Sequence, residues 1–212
     1  MEYILNFIEN NLFAIITALI AIIALLQTHK QIKISNKQYL FDKRLSKYLL
    51  AKGLLELYND NEDLLDYTDH LDDEPIIVDS QFINLTNNNY LKDITCIIKE
   101  PKNNDFKNNF LVKIEELKKL SNEIKFLFRD NSGVLLGNFI MEYQNVLMEL
   151  YKYQAVLDSM MNDKPPYNEL QKNYEELKHR HRLYNAIDDL KESYHEVVSK
   201  KVINKIEESI KL

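Results

Sequence analysis

Glycine and proline are scarce in this 212-residue chain, with three of the first and four of the second. Phosphate-cradling loops of the Gly-x-Gly-x-x-Gly kind need closely spaced glycines, and Gly53, Gly133 and Gly137 supply none. Few breakers and long periodic segments leave helix as the regular structure, so the fold class expected is all-α. The single cysteine, Cys96, excludes an internal disulfide and suits a reducing compartment. Its Ile94-Thr95-Cys96-Ile97-Ile98 setting offers no neighbouring base, and it reads as a small buried hydrophobe. Lysine and arginine are missing from two places: none precedes Lys30, and none lies between Gly53 and Leu91, where there are ten acids. The densest acidic stretch, 59–75, lacks the glycine of a calcium loop, so it reads as a solvated helix end or loop. His70 within it makes no metal site by itself. His179 and His181 stand two apart, about 200° around a helix, and cannot share a metal. No catalytic arrangement, metal site or cofactor motif emerges, and a non-enzymatic chain is expected.

What the chain does have is a long apolar opening. The twenty residues from Asn10 to His29 carry no formal charge, and Leu12–Leu26 is apolar apart from Thr17. A helix of that length reaches about 30 Å, the thickness of a bilayer's hydrocarbon core. The ten Leu, Ile and Phe residues of Leu12–Leu26 favour insertion by about −5 kcal/mol in sum. A cleaved signal peptide would need a basic start and a small-residue cleavage site, and neither is present before Gln27-Thr28-His29-Lys30. The expected localisation is therefore a plasma or inner membrane, crossed once. Lys30, Lys33, Lys37, Lys43, Arg44 and Lys47 face only Asp42 in charge, so the N-terminus is expected outside and the rest in the cytoplasm. Anionic lipid accounts for this basic belt better than nucleic acid does, because orientation already requires it.

One side of the opening helix differs from the rest. Asn10, Ala14, Thr17, Ala21, Ala24, Thr28, Gln31, Ser35 and Gln38 recur at steps of four and three, and each is small or polar. Such a repeat draws a straight seam along a gently supercoiled helix. Small residues permit close helix approach in lipid, where apolarity alone drives no association. Three readings stay open: a plain anchor, a self-association seam, and the lining of a narrow pore in a ring of copies.

The cytoplasmic chain is organised by helical periods. Residues 1–29 form the flank and transmembrane helix, 30–58 a basic juxtamembrane neck, 59–104 an acidic linker with short helices, and 105–212 a three-helix bundle. Ile34, Phe41, Tyr48 and Leu55 recur every seven residues, with Leu45 and Leu49 on the same side, predicting one helix from about Leu12 to Tyr58. Asp79-Ser80 is expected to cap a helix carrying Phe82, Leu85, Tyr90, Leu91 and Ile94, unless Thr86-Asn87-Asn88-Asn89 turns. Pro101–Asn104 reads as a loop. Asn104 or Asp105 opens a helix with Phe106, Phe110, Ile114, Leu117, Leu120, Ile124 and Leu127 inside, stopped at Asp130–Gly133. Leu135–Met161 follows, with Phe139, Tyr143, Val146, Leu150, Tyr153 and Leu157 inside. Pro165-Pro166 then starts a last helix running nearly to Leu212, with Leu170, Tyr174, Leu177, Tyr184, Ile187, Tyr194, Val197 and Val198 as its buried stripe. Short connections between these three predict antiparallel packing.

Lys178-His179-Arg180-His181-Arg182, between Tyr174 and Tyr184, is the one local cluster with ligand chemistry. Arginine beside tyrosine can hold a phosphate backbone and stack a base, making Tyr174, Lys178, Arg180, Arg182 and Tyr184 a candidate oligonucleotide site. A solvated, salt-bridged face is the competing account, with Glu175 and Glu176 as partners.

Three segments carry a family resemblance: Ile34–Leu45, Phe82-Ile83-Asn84-Leu85-Thr86-Asn87-Asn88, and Leu150-Tyr151-Lys152-Tyr153-Gln154. With the single span before them, the chain resembles small single-span bacterial membrane proteins of anti-phage defence, and in layout the channel effector of Hailong-type systems. That resemblance implies a homo-tetrameric ion channel. It also implies a partner nucleotidyltransferase whose short DNA oligomers hold the channel shut until infection removes them. No ligand motif of that family maps onto residues here. The expectation is an oligomeric pore-forming effector gated by a cytoplasmic helical domain, or alternatively a membrane-tethered binding or scaffold module without a pore, for example one that excludes phage.

Overall fold

The computed structural model of the chain describes residues 2–65, 78–128, 130–162 and 169–210, and every regular element in them is helical. The helices are α1 (Glu2–Asn59), α2 (Glu62–Leu65), α3 (Val78–Thr86), α4 (Asn104–Leu127), α5 (Asn131–Asn162), α6 (Glu169–Ser199) and α7 (Val202–Ile210), with a 3-10 helix over Lys92–Ile98. The chain divides into two compact units, residues 1–43 and 44–212.

The first unit is a single helical stretch. Nothing within the unit covers it: every side chain from Leu12 to Leu40 is exposed. The mean hydropathy of α1 reaches 2.2 over its most apolar part, none of which is buried, so α1 is long and apolar enough to cross a membrane. Thr17 and Thr28 return their hydroxyls to the carbonyls of Phe13 and Ala24, at 2.7 and 2.8 Å, which satisfies them without water.

The second unit is built around α5, whose buried side carries Leu136, Phe139, Ile140, Tyr143, Val146, Leu147 and Leu150. Helices α3, α4, α6 and α7 pack on it. From α1, Tyr48, Ala51, Leu54, Leu55 and Tyr58 are buried in the same unit. Aromatic rings tie the layers together: Tyr58 meets Phe139 edge-on at 6.0 Å and Tyr194 at 4.7 Å, and Phe110 meets Tyr151 at 4.8 Å. The Tyr143 hydroxyl is fully buried and donates to the Leu85 carbonyl at 2.5 Å, closing α3 onto α5.

Several boundaries differ from the sequence reading. Helix α3 stops at Thr86, because Asn88 Oδ1 accepts from the Tyr90 and Leu91 amides at 2.9 and 2.8 Å and turns the chain. Tyr90, Leu91 and Ile94 therefore leave that helix, and Asp79 lies inside its first turn instead of capping it. Asn103 caps α4, its Oδ1 accepting from Asp105 and Phe106. The α4 stop comes earlier than Gly133, at Phe128, which adopts extended backbone. Gly133 belongs to the first turn of α5, where a Cβ would lie 2.0 Å from the Phe128 carbonyl oxygen. Cys96 is exposed, on the outer side of the 3-10 helix, so it is no buried hydrophobe.

The largest difference is at the C-terminus. The last helix is two helices, broken at Lys200-Lys201, where Lys201 takes a φ of 51°. Leu183, Ala186, Ile187, Leu190 and Val197 make the α6 buried stripe, and Val202, Ile206 and Ile210 that of α7. On one unbroken helix the second set would point about 150° away from the first, at about 100° per residue. The left-handed residue lets both face the core. Tyr174, Leu177 and Val198, expected inside, are 66%, 52% and 55% exposed. Ile34 and Leu49 are exposed as well, outside the expected seven-residue stripe. Residues 66–77, including His70, and the Pro165-Pro166 break lie outside the described residues.

Candidate functional site

The seam comes first, because it occupies a helix side with no cover. Ala14, Thr17, Ala21, Ala24, Thr28, Gln31, Ser35 and Gln38 are all exposed on α1, and the side chain of Asn10 lies outside the described residues. Leu12, Phe13, Leu19, Ile20, Leu25 and Leu26 are exposed too, so the seam is distinguished by side-chain size and polarity and not by burial. Its threonine hydroxyls are already bonded to backbone carbonyls at Thr17 and Thr28, which leaves the seam smooth.

The basic cluster on α6 splits in two. Tyr174, Lys178 and Arg182 lie within about 80° of one another, with Tyr174 opposite the buried stripe and Arg182 about 85° from it. Arg180 and Tyr184 lie on another flank and are half-buried. There Arg180 Nε stands 3.7 Å from Glu176 Oε1, and the Tyr153 hydroxyl donates to the same carboxylate at 2.8 Å. Burial, then the bond to Glu176, push the Tyr153 hydroxyl above its ordinary range. Lys178 pairs with Glu175 at 3.1 Å. His179 is held below the usual imidazole range, first by burial and then by Arg182, against the opposing pull of Glu175. The five residues named from sequence thus spread around the helix: Arg180 pairs with Glu176, which also holds Tyr153 of α5, and Lys178 is salt-bridged to Glu175. Tyr174 and Arg182 are exposed, about 12 Å apart along the helix axis.

A third feature was not apparent from the sequence. The end of α1 is gripped by three other helices. Tyr48 donates to Glu207 Oε1 of α7 at 2.5 Å, and Lys52 reaches the same carboxylate at 3.3 Å. Lys47 pairs with Glu123 of α4 at 2.7 Å, and the Tyr194 hydroxyl of α6 donates to Asn59 at 2.5 Å. Burial and the Glu207 carboxylate together raise Tyr48 well above its ordinary range, so it stays a donor. Beside this grip a groove of about 340 Å³ is lined by Leu55, Glu56, Tyr194, Val197, Lys201 and Ile203 among others. The sequence signal for it was the phase slip from Val197 to Val202, which a continuous α6 would have hidden.

No protein-family model, curated protein or solved structure matches the chain. Among the described residues no group of three or more His, Cys, Asp or Glu side chains is placed to hold a metal.

Proposed function

We propose that the chain is an oligomeric single-span membrane protein, a pore-forming effector of the anti-phage kind that its sequence resembles. Copies of α1 cross the membrane and meet along the Asn10–Gln38 seam, and the second unit gates them from the cytoplasm. One observation carries this reading: the apolar run Leu12–Leu26 of α1 is exposed throughout, with Ala14, Thr17, Ala21 and Ala24 aligned along one side of it. Exposing that much apolar surface to water would be costly, at about 25 cal/mol per Å², so lipid and neighbouring helices are its natural cover. Orientation with the N-terminus outside follows from the basic flank after Lys30.

In this proposal the second unit is an antiparallel arrangement of α4, α5 and α6. The α5–α6 pairings support it, since Tyr153 meets Glu176 while Phe139, earlier in α5, meets Tyr194, later in α6. It acts through assembly and not through catalysis. A nucleotide or short DNA oligomer is the proposed regulator, with Tyr174 and Arg182 as its contact points, and the enzyme that makes it a proposed partner. Tetramers are the assembly that the resemblance implies.

Reconstituted full-length protein should be oligomeric by mass in detergent and conduct ions in liposomes. Ala21→Leu should block close approach and alter or abolish that conductance, while Leu19→Ile on the other side should leave it. A monomer that never conducts refutes the proposal. The second reading, a tethered binding module, draws on the exposed Tyr174 and Leu177. It expects activity to survive replacement of the span.

A further inference from the structure

Lys30, Lys33 and Lys37 follow the apolar part of α1 and are exposed. Steps of three and four residues place them within about 60° of one another. No acid intervenes before Asp42, which falls on another side of the helix. Exposed apolar residues share the lysine side: Leu26 and Ile34 are 67% and 46% exposed. The seam residues Ala24, Thr28, Gln31 and Ser35 are centred about 160° away.

We propose that Lys30, Lys33 and Lys37 form a binding face for anionic phospholipid headgroups, and that its occupation keeps α1 turned with the seam away from lipid. The inference rests on the reading of α1 as a membrane span. Three observations select a lipid over another polyanion. The lysines are interleaved with exposed aliphatic side chains, which a bilayer interface takes up and an aqueous polyanion does not. No Phe, Tyr or Trp lies between Leu26 and Lys37 to stack a base. Lys30 to Lys37 also climb about 10 Å along the helix axis, which matches one headgroup layer of about 5–8 Å and the start of the screened aqueous zone.

Each lysine near an anionic surface is worth up to about fivefold in binding, so three give up to about a hundredfold. The test uses full-length protein in phosphatidylcholine vesicles with trace spin-labelled phosphatidylglycerol or spin-labelled phosphatidylcholine. Electron spin resonance then reads the motionally restricted fraction of each probe. The wild type should restrict phosphatidylglycerol in preference to phosphatidylcholine. The triple Lys→Gln variant should lose that preference, and the triple Lys→Arg variant should keep it. Millimolar inorganic phosphate at matched ionic strength should not compete. A triple glutamine variant that keeps the preference overturns the proposal, and so does full competition by phosphate, which would mark a site for the free anion. Equal restriction of both probes by the wild type sinks the headgroup site alone, whereas no restricted lipid of either kind sinks the membrane reading beneath it.

Discussion

At the residue scale, two glycines should respond to alanine with opposite signs. A Cβ on Gly133 would meet the Phe128 carbonyl oxygen at 2.0 Å, so backbone and not the end of a flexible side chain would have to shift. Gly133→Ala should destabilise the second unit by about 1–3 kcal/mol, as overpacking does. A Cβ on Gly53, mid-helix in α1, meets nothing within 4 Å. Gly53→Ala should therefore stabilise by up to about 1 kcal/mol through helix propensity. Urea unfolding of the two variants in one detergent would separate them. His179 provides the pH dependence. Its folded pKa is lowered, so its contribution is fully present above the unfolded value near 6.5 and is lost as pH falls through the folded one. His179→Gln should flatten the stability profile below about pH 6.5, read as the thermal midpoint against pH.

At the element scale, the helix ends hold the surprises. Asn103 Oδ1 accepts from two amides that open α4, at 3.0 and 3.3 Å. Asn103→Ala should cost about 1 kcal/mol and expose the first turn of α4 to hydrogen exchange. Lys201 carries a left-handed backbone that costs a side-chain residue about 1–2 kcal/mol. Lys201→Gly should recover up to about 1 kcal/mol, and Lys201→Val should lose stability, measured again by urea midpoint. These elements also show where sequence reading stops. The α4 and α5 stripes were legible because Phe110–Leu127 and Phe139–Tyr153 repeat at the helical period and pack on helices that extend alongside them. The α6 stripe was legible only in part: Ile187 and Val197 are buried as expected, and Tyr174, Leu177 and Val198 are not. Tyr174 and Leu177 share a period with Leu170 and Tyr184, yet Tyr174 and Leu177 are exposed. Periodicity announces a possible face, and only a neighbouring element makes it a buried one.

At the scale of the whole molecule, the two compact units predict separable behaviour. Replacing residues 10–29 by an unrelated apolar helix should leave the unfolding transition of residues 44–212 unchanged, because its core draws on Tyr48, Leu54 and Tyr58 and on α3–α7. The same replacement should abolish ion conductance in the pore reading and preserve activity in the tethered-module reading. The candidate sites divide along the same line. The seam was legible residue by residue, since a helix of known pitch sorts Ala, Thr and Gln onto one side whatever else folds. The α6 cluster was legible only as a run of charges. Its division into the half-buried Arg180 and Tyr184 and the exposed Tyr174 and Arg182 depends on where α5 lies, since Glu176, the partner of Arg180, is held by Tyr153.

The sequence by itself determined the helical class, the apolar opening, its seam and its basic flank. Each is a property of composition or of local pitch, and neither needs a distant partner to exist. The tertiary structure alone decided the Lys201 break, the outward turn of Cys96, the clamp of Tyr48 and Lys52 on Glu207, and which half of the basic cluster meets solvent. Those outcomes join residues up to 159 positions apart. A local period carries no information about which remote surface will arrive to cover it.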